Sequence, residues 1–223
     1  MEAPIVIETS SLQKVDGSAS WKQDLTKVIC SVSGPMEVKP RGELPVEATL
    51  ELVVRPVTGL SSTREALLED RLHGVLSSII LKNLYPRSLI QMVVQILEPG
   101  EGEQNNVLEL AAGINSAVVA LIDAAIPLHG LIASTAIAIS KSNEFIIWPS
   151  PEELNEAKST HCVAYEIIDN QVTRLLLCES TGLFTKEQLT QCLNSAQPEC
   201  TRIYQKIRDA VGEKLNKDFV WRS

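Results

Sequence analysis

Apolar residues recur along the chain with two different periods, which predicts a fold that mixes strands with helices. Alternation is clearest at residues 48–55, where Leu50, Leu52 and Val54 share one face and Pro56 follows. Because proline cannot donate a hydrogen bond to a sheet, we expect the strand to end there. The same patterning predicts further strands at residues 25–32, 89–97, 131–139, 145–148, 162–168 and 172–178.

The segment that follows Pro56 carries the signals of a helix. Ser62 and Glu65 have capping-box spacing, in which each residue's side chain accepts a hydrogen bond from the other's backbone N–H. An apolar stripe at helical spacing comes next, and Tyr85 and Pro86 stop the helix. The stripe consists of Leu68, Leu72, Val75, Leu76 and Ile79.

Two more helices are predicted in the rest of the chain. Residues 106–125 are apolar on nearly every side, which indicates a helix buried in a layer or between subunits. Thr185 and Gln188 form another capping-box pair, and the helix that they begin carries an apolar stripe to the chain end. Pro198 is expected to kink this helix or to begin a new one. We expect apolar surfaces on both helices to be buried between partners.

The order of these elements predicts the fold class. Both halves of the chain place a helix before a strand, which suggests a duplicated unit. We therefore predict an α+β fold with duplicated βαβ-type halves, mixed sheets and helices packed on one side. The 223 residues, 44% of them hydrophobic, provide enough apolar material for one sizeable core. A single domain is expected over residues 1–223.

Composition and charge limit what the chain is expected to do alone. The net charge is −8 and aromatic residues make up 4% of the sequence. The chain therefore lacks the basic character of a stand-alone nucleic-acid binder and has few rings for base stacking. If it works on RNA, neighbouring subunits are expected to supply most of the positive charge.

Cysteine and histidine positions indicate neither a disulfide framework nor a metal site. The five cysteines are scattered without a Cys-x-x-Cys pair, and the three histidines are far apart in sequence. We expect reduced thiols, no metal and no cofactor. Residues 1–10 lack the pattern of a secretion signal, and no apolar run is long enough to span a membrane, so neither feature is expected.

Three stretches carry a family resemblance when their order and spacing are taken together. The sequence Asp-Gly-Ser-Ala at residues 16–19, with residues 26–30 and Gly34-Pro35, is similar to an entry hairpin. Residues 64–65, 71–72 and 85–91 are similar to a first helix and the strand after it, and residues 114–124 to a central helix. On these motifs the chain resembles the RNase PH family, and within it the ring subunits of the eukaryotic RNA exosome. The resemblance implies an RNase PH-like fold.

The resemblance also implies that the active site is lost. Active members cut RNA by phosphorolysis and hold inorganic phosphate with a Gly-Thr-Arg segment that opens the central helix. The matching positions here are Leu108, Glu109 and Leu110, so the arginine is absent and Glu109 would repel phosphate. Trp148 stands where an acidic residue of the family is expected, and an indole cannot bind magnesium.

Several other polar residues admit a functional and a structural interpretation. Glu152 and Glu153 are either a residual acidic pair or, as we prefer, the first turn of a helix after Ser-Pro. Asp123 is interpreted as a polar partner at the end of a buried helix, and His161 as structural. Trp148 is hypothesised to fill the space that the lost active site leaves open.

Basic residues at family-like or loop positions are candidates for RNA contact. Three match positions that line the RNA path in the family, and two lie in the loop of residues 38–45. Ordinary surface charge is the alternative for each of them. This alternative is clearest for Arg71, which follows two acidic residues. The candidates are Arg87, Arg64, Arg71, Lys39 and Arg41.

Together these features imply a catalytically inactive ring subunit of the exosome. Six RNase PH-like subunits would close the ring beneath RNA-binding cap proteins. RNA would pass through the central channel to an associated hydrolytic nuclease, in the nucleus, the nucleolus and the cytoplasm. The rival interpretation is a phosphorolytic 3′-to-5′ exoribonuclease that acts as a homo-oligomer. A third is a protein-interaction module with this fold and no role on RNA.

Overall fold

The first half of the chain forms a five-stranded sheet. The computed structural model describes residues 4–102 and 104–219. The strands of this sheet are β1 (Ile5–Thr9), β2 (Gly17–Gln23), β3 (Thr26–Glu37), β4 (Thr49–Arg55) and β5 (Ser88–Pro99). Their order is β1-β2-β3-β5-β4, and only β4 and β5 are parallel. Helix α1 (Thr63–Ile79) and a short 3₁₀ turn (Lys82–Leu84) connect that pair into a βαβ unit.

The second half forms a four-stranded antiparallel sheet and carries the remaining helices. The sheet order is β7-β6-β8-β9. Helix α2 leads into this half, α3 precedes β8, and α4 follows β9. The bounds are α2 (Val107–Asp123), β6 (Leu131–Ile139), β7 (Phe145–Ile147), α3 (Pro151–Glu156), β8 (Ser159–Ile168), β9 (Gln171–Gly182) and α4 (Lys186–Asp218).

Helix α2 is the centre of the core. It packs against β2, β3 and β5 of the first sheet and against β6 and β8 of the second. Every residue from 107 to 121 is buried, and each large apolar side chain among them stabilises the fold by about 1.5–3 kcal/mol. The expectation that this helix presents an apolar surface to partners was therefore wrong, because the chain's own two sheets cover it.

A glycine allows β2 to approach the end of α2 closely. A Cβ atom on Gly17 would lie 2.3 Å from the backbone nitrogen of Ala124 and 2.5 Å from the carbonyl oxygen of Ala120. Any side chain here would push the first sheet away from the helix. The Asp-Gly-Ser-Ala stretch thus has a packing requirement that explains its glycine.

The predicted α+β class is confirmed, and the predicted strands and helices are present with shifted ends. The βαβ pairing occurs only in the first half, since the second sheet has no parallel pair among its described strands. Helix α2 lies between two sheets, so the helices do not all pack on one side. Strand β1 was not predicted, because its residues Ile5, Val6 and Ile7 are all apolar and do not alternate with polar residues, although only alternate positions of this edge strand are half-buried.

Helix α4 runs without a break through Pro198. Its buried stripe includes Cys192, Cys200 and Ile203, and the helix packs against β6 and β8. Packing on two strands keeps the helix continuous although Pro198 donates no hydrogen bond. None of the helices in the described part of the chain is both long and apolar enough to cross a membrane.

Candidate functional site

The first turn of α2 holds a carboxylate from the chain itself. The N-cap residue, Asn106, makes no side-chain capping bond. Instead, the backbone N–H of Val107 donates to Oε2 of Glu101 at 3.1 Å, and the N–H of Glu109 donates to Oε1 at 2.8 Å. One carboxylate thus satisfies two of the donors that a helix N-terminus leaves free. This is also the place where a helix binds an external anion.

A glycine turn positions Glu101 beneath the helix. Strand β5 ends at Pro99, and Gly100 follows with φ of +65°. A Cβ on Gly100 would lie 2.1 Å from Oγ1 of Thr26, so the turn needs both the left-handed backbone and the missing side chain. Glu101 is 9% exposed as a result.

Arg64 lies beside this carboxylate and is bound inside the protein. Its Nη1 is 2.8 Å from Oε2 of Glu109 and 3.5 Å from Oε1 of Glu65, and its Nη2 donates to the carbonyl of Asn105 at 2.6 Å. The Glu109 side chain is 2% exposed and that of Arg64 is 23% exposed. This ion pair joins the first turn of α1 to the first turn of α2.

The capping box predicted from the sequence sets the start of α1 and therefore the position of Arg64. The backbone N–H of Ser62 donates to Oε2 of Glu65 at 2.6 Å, and the Ser62 hydroxyl caps the helix in return. Glu65 is consequently buried against the same pocket. Three carboxylates and one guanidinium therefore face each other across the two helix starts.

Burial and pairing set the charge of these groups in opposite directions. Burial raises the pKa of Glu101 to about 7, although its bond from the N–H of Glu109 favours the charged form. Burial raises the pKa of Glu109 more than Arg64 lowers it. Burial also acts on Glu65, but the hydrogen bonds from Ser62 and the charge of Arg64 hold its pKa below the ordinary value. Burial opposes the charge on Arg64, but Glu109, Glu101 and Glu65 together favour it, so the pKa of the guanidinium is raised.

These groups line a pocket of about 620 Å³, which is also bordered by the loop after β4. A phosphate entering it would find the backbone donors occupied and three carboxylates nearby. Leu108 and Leu110 are 2% and 1% exposed and belong to the hydrophobic core, so they offer nothing to a ligand. The Glu101 carboxyl group therefore occupies two of the backbone donors at this helix start, and the neighbouring side chains Glu65 and Glu109 are acidic.

The segment after β7 consists of residues with structural contacts. Trp148 has φ of +53° and a buried side chain that belongs to the core. Ser150 and Glu153 form a capping box at the start of α3, and Glu152 lies in the first turn of that helix. The preferred interpretation of Glu152 and Glu153 as first-turn residues is confirmed.

The five candidate RNA contacts are not brought together. Arg64 is bound to Glu109, and Nη1 of Arg71 lies 3.2 Å from Oε2 of Glu179 on β9. Arg87 has φ of +61°, is 69% exposed at its side chain and lies 3.3 Å from Glu43. Its backbone N–H donates to the carbonyl of Leu44, which joins its turn to the loop of residues 38–48. Lys39 and Arg41 are exposed on that same loop.

Two residues that were interpreted as structural have structural contacts. Asp123 accepts hydrogen bonds from the Ser18 backbone N–H at 2.9 Å and the Ser10 hydroxyl at 3.0 Å, and from Lys214 on α4. His161 is fully buried between the hydroxyls of Ser159 and Ser180, at 3.0 and 2.8 Å. Within residues 4–102 and 104–219, no group of three or more His, Cys, Asp or Glu side chains is arranged to hold a metal ion.

Glu101 is the residue of the site that sequence reasoning missed. It lies in the stretch between Pro99 and Asn106, which reads only as a polar turn. The sequence carries no signal for it, because Asn106 is of a type that favours the N-cap position. Only the structure shows that Asn106 makes no side-chain cap, so that the first N–H groups of α2 require an acceptor from elsewhere. Glu101 is the carboxylate that a tight turn at Gly100 delivers to that position.

Comparison with known proteins agrees with this fold. Residues 3–127 match the model of the 3′ exoribonuclease family, domain 1. The chain is 40% identical over 217 residues to exosome complex component RRP46 of Saccharomyces cerevisiae, covering 96% of this chain and 97% of the relative. It is 34% identical over 209 residues to exosome complex component rrp46 of Schizosaccharomyces pombe, covering 92% and 88%. The crystal structure of rice (Oryza sativa) Rrp46 superimposes with a TM-score of 0.85 at 24% identity, covering 93% of this chain and 94% of that one. The chain belongs to the RNase PH family.

Proposed function

We propose that this protein is a ring subunit of an RNA exosome that supports 3′-to-5′ RNA degradation and processing without cutting RNA itself. The observation that carries the proposal is the Glu101 carboxylate on the first turn of α2. Phosphorolysis needs inorganic phosphate bound near the scissile bond, and the helix terminus suited to that anion is occupied.

The relatives support assembly into a complex. Both yeast relatives are named as exosome complex components, and the similarity spans nearly the whole chain. The net charge of −8 fits a subunit whose neighbours provide most contacts to RNA. We propose other RNase PH-like subunits in a six-membered ring as direct partners, with RNA-binding cap proteins above and a hydrolytic nuclease that receives RNA from the channel.

The proposed locations follow from the proposed role. A subunit of an RNA-degrading ring would work in the nucleus and nucleolus, where RNA is processed, and in the cytoplasm, where RNA is turned over. A fluorescent fusion at the native locus tests this proposal. Exclusion from the nucleus and nucleolus would contradict it.

The absence of catalysis is tested with purified protein and short single-stranded RNA. RNA is incubated with and without inorganic phosphate and magnesium, and nucleoside diphosphates are measured. We expect no phosphate-dependent product. Product that persists through further purification and disappears on Glu152→Gln/Glu153→Gln would instead support the rival, a phosphorolytic exoribonuclease.

Assembly is tested separately. The gene for this chain is placed in S. cerevisiae cells from which the relative, exosome component RRP46, is depleted. We expect the chain to restore growth and to copurify with RNase PH-like subunits in one high-molecular-weight peak. Purification of the chain from its own cells without RNase PH-like partners or RNA would favour the protein-interaction module with no RNA role.

A further inference from the structure

We infer that the side chain of Glu101 occupies the first turn of α2 and excludes inorganic phosphate from it. The inference deepens the proposed function, because it names the residue that keeps phosphate out. Each oxygen of the carboxylate accepts one backbone N–H, from Val107 and from Glu109. An oxygen of inorganic phosphate would require these same two donors.

Tethering gives Glu101 an advantage over a free anion. Glu101 is six residues from Val107, and the Gly100 turn holds it in place. A group held this way competes as if present at a local concentration that dissolved phosphate does not reach. The carboxylate is also largely shielded from water, since the residue is 9% exposed.

Arg64, the cation nearest to this turn, is bound to other groups of the protein. Arg64 would be the natural second contact for a phosphate at this turn, but Glu109 and the carbonyl of Asn105 hold its two terminal nitrogens. Glu65 lies 3.5 Å from the same guanidinium. Removing Glu101 opens the backbone donors, and removing the charge of Glu109 in addition releases Arg64 toward them.

Phosphate titration of the ¹⁵N-labelled protein, followed at the amide signals of Val107 and Glu109, tests the inference. Chloride at the same ionic strength serves as the reference. The wild type and Glu98→Ala, which removes a half-exposed carboxylate on β5, are expected to show no saturable shift. Glu101→Ala is expected to show saturable shifts at both amides, and Glu101→Ala/Glu109→Gln is expected to saturate at a lower phosphate concentration than Glu101→Ala.

Glu101→Gln covers the case in which loss of the cap unfolds the alanine variant. It keeps the shape and one acceptor but loses the charge, so phosphate should compete with it and produce smaller saturable shifts at the same two amides. Saturable shifts in the wild type would overturn the inference, as would their absence in a folded Glu101 variant. Because no RNA is present, this outcome is independent of the cleavage assay that tests the proposed function.

Discussion

Arg64 and Glu109 form an ion pair of 2.8 Å that connects the first turns of helices α1 and α2. The Glu109 side chain is 2% exposed, so its charge depends on this partner. Arg64 also contacts Glu65 and the Asn105 carbonyl. A residue that resembles a family RNA contact therefore has a structural role in this chain.

The two partners should not be equally important for stability. Arg64→Ala leaves Glu109 buried beside Glu101 without a cation, and we expect a loss of about 2–4 kcal/mol in the free energy of unfolding. Glu109→Ala should cost less, because Arg64 keeps Glu65 and the Asn105 carbonyl. Urea unfolding measures both, and Arg55→Ala, an exposed arginine, should stay within about 0.5 kcal/mol of the wild type. If the double variant Arg64→Ala/Glu109→Ala shows purely additive losses, the pair contributes no coupling energy.

Stability should decrease as the pH rises toward neutrality. The pKa of Glu101 is raised from its ordinary 4.5 to about 7 in the folded protein by burial. The folded state therefore binds more protons than the unfolded state between these values, and the free energy of unfolding falls as pH increases across that window. The raised pKa of Glu109 acts in the same direction.

Glu101→Gln isolates this contribution. Between about pH 5 and about pH 8, titration of Glu101 should lower the unfolding free energy of the wild type by about 2–3 kcal/mol. The profile should be flatter in the Gln variant and unchanged in Glu98→Gln. An equally steep profile in Glu101→Gln would assign the pH dependence to other groups.

Asp123 should anchor the last turns of the C-terminal helix. Its carboxylate is 4% exposed and binds Lys214 of α4, while Ser10 and the Ser18 N–H tie it to the first sheet. Burial disfavours its charge, but Lys214 and the N–H of Ser18 hold the pKa of Asp123 below its ordinary value. Asp123→Ala should cost about 3 kcal/mol because it leaves a backbone N–H and an ammonium unpaired.

Lys214→Met should cost less than Asp123→Ala, since Asp123 keeps its hydroxyl and backbone donors. Urea unfolding and proteolysis of the last turns of α4 report the difference. Lys206→Met, at an exposed position on the same helix, is the matched control and should be near neutral. Equal losses for Lys214→Met and Lys206→Met would contradict a role for the Asp123–Lys214 pair.

The sequence pattern predicted the elements because burial has a period of two in the strands and a helical period in α1. Strand β5 alternates between buried and half-buried residues, and α1 buries the predicted stripe together with Glu65. The capping boxes at Ser62 and Thr185 were also readable, since both partners lie within four residues. Local sequence thus determines where these elements begin.

The site was less predictable because its contacts join distant segments. Arg64 and Glu109 are separated by 45 positions, and neither residue type indicates that they pair. Glu101 acts through a turn whose geometry depends on the contact of Gly100 with Thr26 on another strand. The environment of α2 was unpredictable for the same reason, because an all-apolar helix suits a core and an interface equally well.

RNA contact should depend on the loop of residues 38–48 and the turn before β5, and not on Arg64 or Arg71. Arg64 contacts the segment after β5, whereas Arg87 precedes that strand, so the 12 residues of β5 separate them by roughly 35 Å. Lys39 and Arg41 lie on Arg87's side, and the exposed pair of Arg87 with Glu43 contributes little to stability. These three cations remain available to phosphates.

The test uses the assembled ring and therefore rests on the proposed function. Replacing Lys39, Arg41 and Arg87 together by alanine should weaken single-stranded RNA binding about tenfold and make the slope of log affinity against log salt shallower by about 2, since each contact contributes about 0.7. Arg71→Ala, which removes the partner of Glu179, should leave the slope unchanged. If the triple variant forms an intact ring with an unchanged slope, the RNA path lies elsewhere. If Arg71→Ala changes the slope, RNA competes with Glu179 for that arginine.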